Sequence, residues 1–244
     1  MTTFLARMSY IDVRAYFKRK DIVLLPIGST EQHGKHLPLG TDHLIAQALA
    51  EEVASKTGTL SLPTIAYGIS KHHSHFPTVW ISPDVFRDMI SEIVLSFKPH
   101  GLRKVVFVNG HGGNTAALSE VAEDLLDEDI RCIVWEWWKA KNIEDFLHKK
   151  VGPELGAASH ADLSETSMSL AHFEEWIRMD QAQDHPLNTW APRIHGAIVH
   201  FFTHDFTDIG SLGSPTKASR ELGAELKAIA IQELEHALAW LETH

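Results

Sequence analysis

Two short, continuously apolar runs, residues 21–27 and residues 104–109 (KVVFVN), each lead into a loop rich in glycine and histidine. Beyond each loop lies a stretch patterned as a helix, residues 42–56 after the first and 115 to about 127 after the second. Runs this short, without polar alternation and rich in β-branched residues, read as strands buried on both faces. Residues 59–66 and 130–138 read as further strands. Ser82-Pro83-Asp84 starts another helix, with serine as the cap and proline at the first helical position. Residues 162–173 are expected to be helical, and a last helix is expected from Ser214-Pro215, turning Ala218, Leu222, Leu226, Ile229, Leu234, Leu238 and Leu241 to the core.

Strands alternating with helices predict an α/β domain with a mainly parallel sheet. In such sheets ligands bind beyond the carboxyl ends of the strands, where the loops after Ile27 and Asn109 both lie. The chain has 244 residues, 44% of them hydrophobic, which suits a single domain over 1–244 with a full core. No apolar run reaches the ~20 residues that span a bilayer, and residues 1–20 mix Arg7, Asp12, Arg14 and Lys18 among apolar positions. The expected setting is therefore cytoplasmic, with no membrane partner. A formal charge of −10 argues against nucleic acid as a partner. Cys132 is the only cysteine, so no cysteine-based zinc site can form, and its apolar surroundings predict an inert thiol.

Seventeen histidines are the informative count, because several fall in glycine-rich loops rather than in periodic segments. The first such loop carries Glu31, His33 and Asp42 among Gly28, Gly34 and Gly40. Two carboxylates and an imidazole make a mixed oxygen and nitrogen donor set, which suits Zn, Mn or Fe better than Ca or Mg. Taken singly, Asp42 could be a helix cap and the other two solvated loop residues. The second loop is Asn109-Gly-His111-Gly-Gly-Asn114, where Gly112 and Gly113 let the backbone approach a ligand closely. A dinucleotide fingerprint, and with it a nicotinamide oxidoreductase, is disfavoured there, since Thr115 holds the third glycine position and His111 would crowd a pyrophosphate. A serine-hydrolase oxyanion loop fails as well, because Gly68-Ile-Ser70-Lys-His72 lacks the final glycine of a nucleophile elbow. The third element runs Ser159-His160-Ala-Asp162-Leu-Ser-Glu165, with His160 expected in a loop and Glu165 in the first turns of a helix.

Assembled, these segments resemble the creatininase family of amidohydrolases. The resemblance rests on Gly28-Ser-x-Glu31-x-His33-Gly34 with Leu37-Pro-Leu-x-Thr41-Asp42, on Asn109-Gly-His111-Gly-Gly-Asn114, and on His160-Ala-x-x-x-Glu165-Thr-Ser167. A weaker match is Gly210-x-x-Gly213-x-Pro215-x-x-Ala218 with Gly223. It implies a three-layer α/β/α sandwich, two adjacent divalent metal ions and a homo-oligomer, commonly a hexamer. Carried over by position, Glu31, Asp42 and His111 hold one metal, with His33 and Asp42 on the other. Creatininase follows its equivalent of His111 with Tyr-Glu, and that glutamate is a ligand. Gly112-Gly113 stand here instead, so Glu165 is the expected replacement.

Other departures bear on the substrate. Gly156 stands where creatininase has a substrate-contacting tryptophan, and His72-His73 replaces a Glu-His pair. These changes point away from creatinine itself. The family's other branches deformylate a formylaminopyrimidine nucleotide, open an inositol-like ring, or mature a peptide-derived redox cofactor. The expected reaction is hydrolysis of a carbon–nitrogen amide bond in a small cyclic amide or formamide. A hydroxide bridging metals ~3.5–4 Å apart would attack the carbonyl, and His160 would transfer the proton. Candidate substrate contacts are His73, Gly112, Gly113, Trp135 and Trp137, with Trp138, His72 and Arg193 as further possibilities. The rival readings are a metal-dependent isomerase or dehydratase, and a binding subunit without catalysis.

Overall fold

A computed structural model describes residues 2–152, 159–185 and 200–244. Gly156 and Arg193 lie outside the described residues. The strands β1 (Ile22–Ile27), β2 (Leu60–Ser61), β3 (Lys104–Asn109) and β4 (Arg131–Glu136) form one sheet in the order β2-β1-β3-β4, parallel throughout. β1 is buried over its whole length. Because side chains alternate across a strand, Ile22 and Leu24 enter one apolar cluster while Val23, Leu25 and Ile27 enter the other.

Helices cover both faces. On one side pack α1 (Tyr10–Phe17), α3 (Pro83–Phe97) and α4 (Thr115–Asp124), through Tyr16, Phe86, Ile90, Val94, Leu118 and Val121. On the other pack α2 (Thr41–Thr57), α5 (Lys141–Val151), α6 (Leu163–Phe173) and α7 (Arg220–Thr243). This is the three-layer sandwich. Among the described residues, no helix is long and apolar enough to cross a membrane.

Four boundaries differ from the sequence reading. β2 stops at Ser61, since Pro63 has no N–H to give, yet Leu62 and Ile65 still donate to Leu24 and Pro26 of β1. β4 ends at Glu136, and Trp137–Lys139 turn as a short 3-10 helix. α4 gives way to a 3-10 turn, Leu125–Glu128. The last helix begins at Arg220 rather than beside Pro215, because Ala218 is extended and the Ser219 hydroxyl accepts from the N–H of Leu222. Ala218 is accordingly only half-buried, outside the core. The sequence reading missed α1 and α5, although Ser9 and Asp12 form a capping box and Ile143 and Leu147 sit at helical spacing.

Helix α7 packs closely along α6. A Cβ on Gly223 would run into the carbonyl of Ser167 in the α6 backbone, which cannot swing aside. Gly223→Val is therefore expected to cost ~1–3 kcal/mol through overpacking, read as a lower urea midpoint with unchanged slope. An unchanged midpoint would mean that the two helices slide apart freely.

Candidate metal centre

Three loops at the carboxyl edge of the sheet meet over β1 and β3. Their meeting is fixed by Asn114, which donates to the Gly28 carbonyl at 3.0 Å and accepts from the N–H of Ile69 at 2.9 Å. Asn109 closes the second loop on itself, accepting from the N–H of His111 at 3.1 Å and donating to its carbonyl at 2.9 Å.

Asp42 lies in the first turn of α2, near the positive end of the helix dipole. It does not cap the helix; Gly40 holds that position and makes no side-chain cap. Its Oδ1 is 2.9 Å from His33 Nε2 and its Oδ2 is 3.0 Å from His111 Nδ1. Glu31 Oε2 lies 3.3 Å from His111 Nδ1, and Glu165 Oε2 lies 3.7 Å from His33 Nε2. Ser29, which the sequence reading did not single out, places its hydroxyl 2.7 Å from Glu31 Oε2 and 3.0 Å from Asp42 Oδ2. Glu31, His33, Asp42 and His111 are all at most 5% exposed.

Both imidazoles are oriented by backbone. His33 Nδ1 lies 3.1 Å from the Glu31 carbonyl, and His111 Nε2 lies 3.1 Å from the Ile69 carbonyl. A carbonyl only accepts, so each neutral ring carries its proton there and turns a lone pair onto the carboxylates. His33 Nε2 is fully buried and faces Asp42 Oδ1 at 2.9 Å without the alignment of a hydrogen bond. With protein groups alone the balance is electrostatic. Burial opposes charge on His33, but Asp42 and Glu165 outweigh it and push its pKa up to about 10. Burial, with Asp42 and Asp162 adding to it against the pull of His33, pushes Glu165 up to about 8. Buried lone pairs aimed at buried carboxylates are the environment a divalent cation satisfies. Among the described residues three donor groups are compact enough for an ion, Glu31–Asp42–His111, His33–His160–Glu165 and Glu31–His73–His160. The donor set fits divalent metal.

Glu165 and His160 owe their positions to the start of α6. Asp162 caps that helix, accepting from the N–H groups of Ser164 at 2.8 Å and Glu165 at 2.9 Å. Ala161 takes a left-handed backbone, with φ 50, which turns its N–H onto Glu165 Oε2 at 2.6 Å. His160 then faces inward, its ring 4.4 Å from that of His33 and 4.3 Å from that of His73. Its Nε2 lies 2.7 Å from the Gln32 carbonyl and its Nδ1 lies 3.8 Å from Glu31 Oε1. Burial, together with His73 and His33, holds its pKa well below the usual imidazole range.

Above these groups opens a cavity of about 460 Å³, the size of a small-molecule site. His72, His73, Gly112, Gly113, Trp137, Trp138, Phe201 and Thr203 form its walls. Gly113 is obligatory, since a Cβ there would strike the carbonyl of Ile69. Of the candidate contacts read from sequence that lie among the described residues, Trp135 is the one placed elsewhere. It precedes the 3-10 turn that swings Trp137 and Trp138 to the wall, and it packs into the apolar cluster beneath the sheet. Burial pushes the Cys132 thiol up to about 12, which keeps it protonated. Gln32 and Thr203 were missed. Nothing in spacing marks them, because apart from Gly34 the partners named here lie 41 to 178 residues away.

The family described as creatinine amidohydrolase matches residues 6–238. A 3-dehydro-scyllo-inosose hydrolase of Thermotoga maritima is 31% identical over 202 aligned positions, which span 79% of this chain and 65% of that protein's length. Creatinine amidohydrolase of Pseudomonas putida is 27% identical across 97% of this chain and 96% of its own. A solved mutant creatininase of the Zn-Zn type superposes with a TM-score of 0.86 at 26% identity, covering 98% of this chain and 97% of that one. With the family matched over nearly its whole length and the same parallel sheet beneath the carboxylates, this chain belongs to the creatininase family of amidohydrolases.

Proposed function

We infer that the protein is a metal-dependent hydrolase that opens the carbon–nitrogen amide bond of a small cyclic amide or formamide. One observation carries this reading. Asp42 divides its two oxygens between His33 and His111, and both rings are held with their lone pairs on it. Glu31, Asp42 and His111 would hold one divalent ion, with His33, Asp42 and Glu165 on a second, Zn, Mn or Fe being the candidates. Bound there, such ions supply Lewis acidity, lowering the pKa of water and drawing charge from the amide carbonyl.

The protein's own groups do the rest. Expulsion of an amine requires a proton. His160, neutral at the start, can take one from the attacking water at Nδ1 and return it to the departing nitrogen. Gly112 and Gly113 leave room for the amide beside His111, and Trp137, Trp138 and Phe201 supply flat apolar walls. Among the described residues the lining holds neither lysine nor arginine.

Protein purified without chelator is expected to carry at least one equivalent of Zn, Mn or Fe by elemental analysis, and to lose turnover when that metal is removed. A panel of cyclic amides and formamides assayed in heavy-oxygen water should yield an acid labelled from solvent. Turnover without label would point instead to isomerisation or dehydration at the same centre. Metal-replete protein inert to the whole panel would favour a binding subunit.

A further inference from the structure

Four imidazoles touch the buried carboxylates, and three of them (His33, His111 and His160) have one nitrogen on a backbone carbonyl. His73 is the exception. Its Nε2 lies 3.2 Å from Glu31 Oε1, while its Nδ1 lies 2.9 Å from Gln32 Nε2 and 2.9 Å from Thr203 Oγ1. The way round of the Gln32 amide is fixed by its neighbours. Its Oε1 accepts from the N–H of Gly34 at 3.0 Å and its Nε2 donates to the Gly210 carbonyl at 3.1 Å. Reversing it would set oxygen against oxygen at Gly210 and N–H against N–H at Gly34.

One amide hydrogen is thus taken by Gly210, and the other goes to His73 Nδ1. A ring nitrogen that accepts carries no proton, so neutral His73 is protonated at Nε2, the nitrogen 3.2 Å from Glu31 Oε1. His160 has the opposite polarity. Its Nε2 sits 2.7 Å from the Gln32 carbonyl, which can only accept, so the proton is there and the lone pair is on Nδ1. Gln32 Nε2 also lies 2.8 Å from His160 Nε2, but the nearer Gln32 carbonyl, at 2.7 Å, is the group that can take the proton of that ring nitrogen.

We propose that Gln32 is a positioning residue that sets the proton positions of the two imidazoles flanking Glu31, its carbonyl turning the lone pair of His160 inward and its side-chain amide turning the N–H of His73 inward. This rests on the hydrolase reading only for its consequence. His73 ties down Glu31 Oε1, leaving Oε2, the oxygen beside His111, as the ligand atom. His160 is left with the acceptor that a proton transfer needs.

The test is a two-bond proton–nitrogen correlation spectrum of the full chain, zinc-loaded and labelled at histidine nitrogens. Both His73 and His160 are expected to carry their proton on Nε2. Gln32→Glu keeps the shape but offers only acceptors to His73 Nδ1. Its proton should move to Nδ1, Glu31 should lose its donor, and zinc should bind ~10–100-fold more weakly, as for other outer-shell changes. His160 should keep its Nε2 proton in that variant, since the backbone carbonyl remains. Thr203→Val should leave the His73 proton where it is, which separates the amide from the hydroxyl as the controlling donor. A proton on Nδ1 of either ring in the unmodified protein overturns the proposal, whatever the variants do. So does an unmoved His73 proton in Gln32→Glu. Absence of hydrolysis would sink the functional reading while leaving this spectrum unchanged.

Discussion

Replacing Asp42 with alanine is expected to remove bound metal and turnover together. Its two oxygens lie 2.9 Å from His33 Nε2 and 3.0 Å from His111 Nδ1, so it serves both halves of the centre at once. Neither ring can swing to compensate, because each is held by a carbonyl on its far side. Water cannot substitute easily, as Asp42 is only 3% exposed. The loss in metal affinity should exceed the ~10–100-fold that outer-shell changes cost, measured by competition with a chelator of known affinity. Asp42→Asn separates charge from shape: it fills the same space, yet should fail nearly as badly. Retention of metal at the level of the unmodified protein would show that the ions, if any, sit elsewhere.

His160→Ala is expected to behave in the opposite way, keeping the metal while turnover falls by ~10²–10⁴, the range for removal of a general acid–base group. His160 is paired with no carboxylate as closely as His33 or His111; its nearest, Glu31 Oε1, is 3.8 Å away. Burial keeps it neutral, so its useful state at the start of the reaction is the acceptor, and substrate affinity should change little. Elemental analysis alongside steady-state kinetics makes the comparison. Loss of metal in this variant would instead make His160 a ligand together with His33 and Glu165, a trio close enough for an ion. Full activity would remove it from the scheme.

Much of this arrangement is legible in the chain itself. β1 and β3 announce themselves as short apolar runs, because a strand buried on both faces tolerates little else. The loops that follow them carry Glu31, His33, Asp42 and His111 at positions dictated by the strand ends. Helix α6 was equally readable, with Asp162 as its cap and Glu165 in its first turn. What escaped was local signal too weak to stand out, as in α1 and α5, or signal overridden nearby, as where Pro63 cuts β2 short.

The sequence by itself determined which residues could be ligands, since donor chemistry is a property of the side chain and the strand-to-loop order carries these donors to one edge of the sheet. Only the tertiary structure decided how they are used. Which tryptophan reaches the cavity depends on a 3-10 turn after Glu136, which carries Trp137 and Trp138, while Trp135 stays in β4 and packs into the core. Which nitrogen of each imidazole faces the carboxylates depends on carbonyls and amides brought from distant segments, Ile69 to His111 and Gln32 to both His73 and His160. Hydrogen bonds have direction, and direction exists only once the backbone is folded.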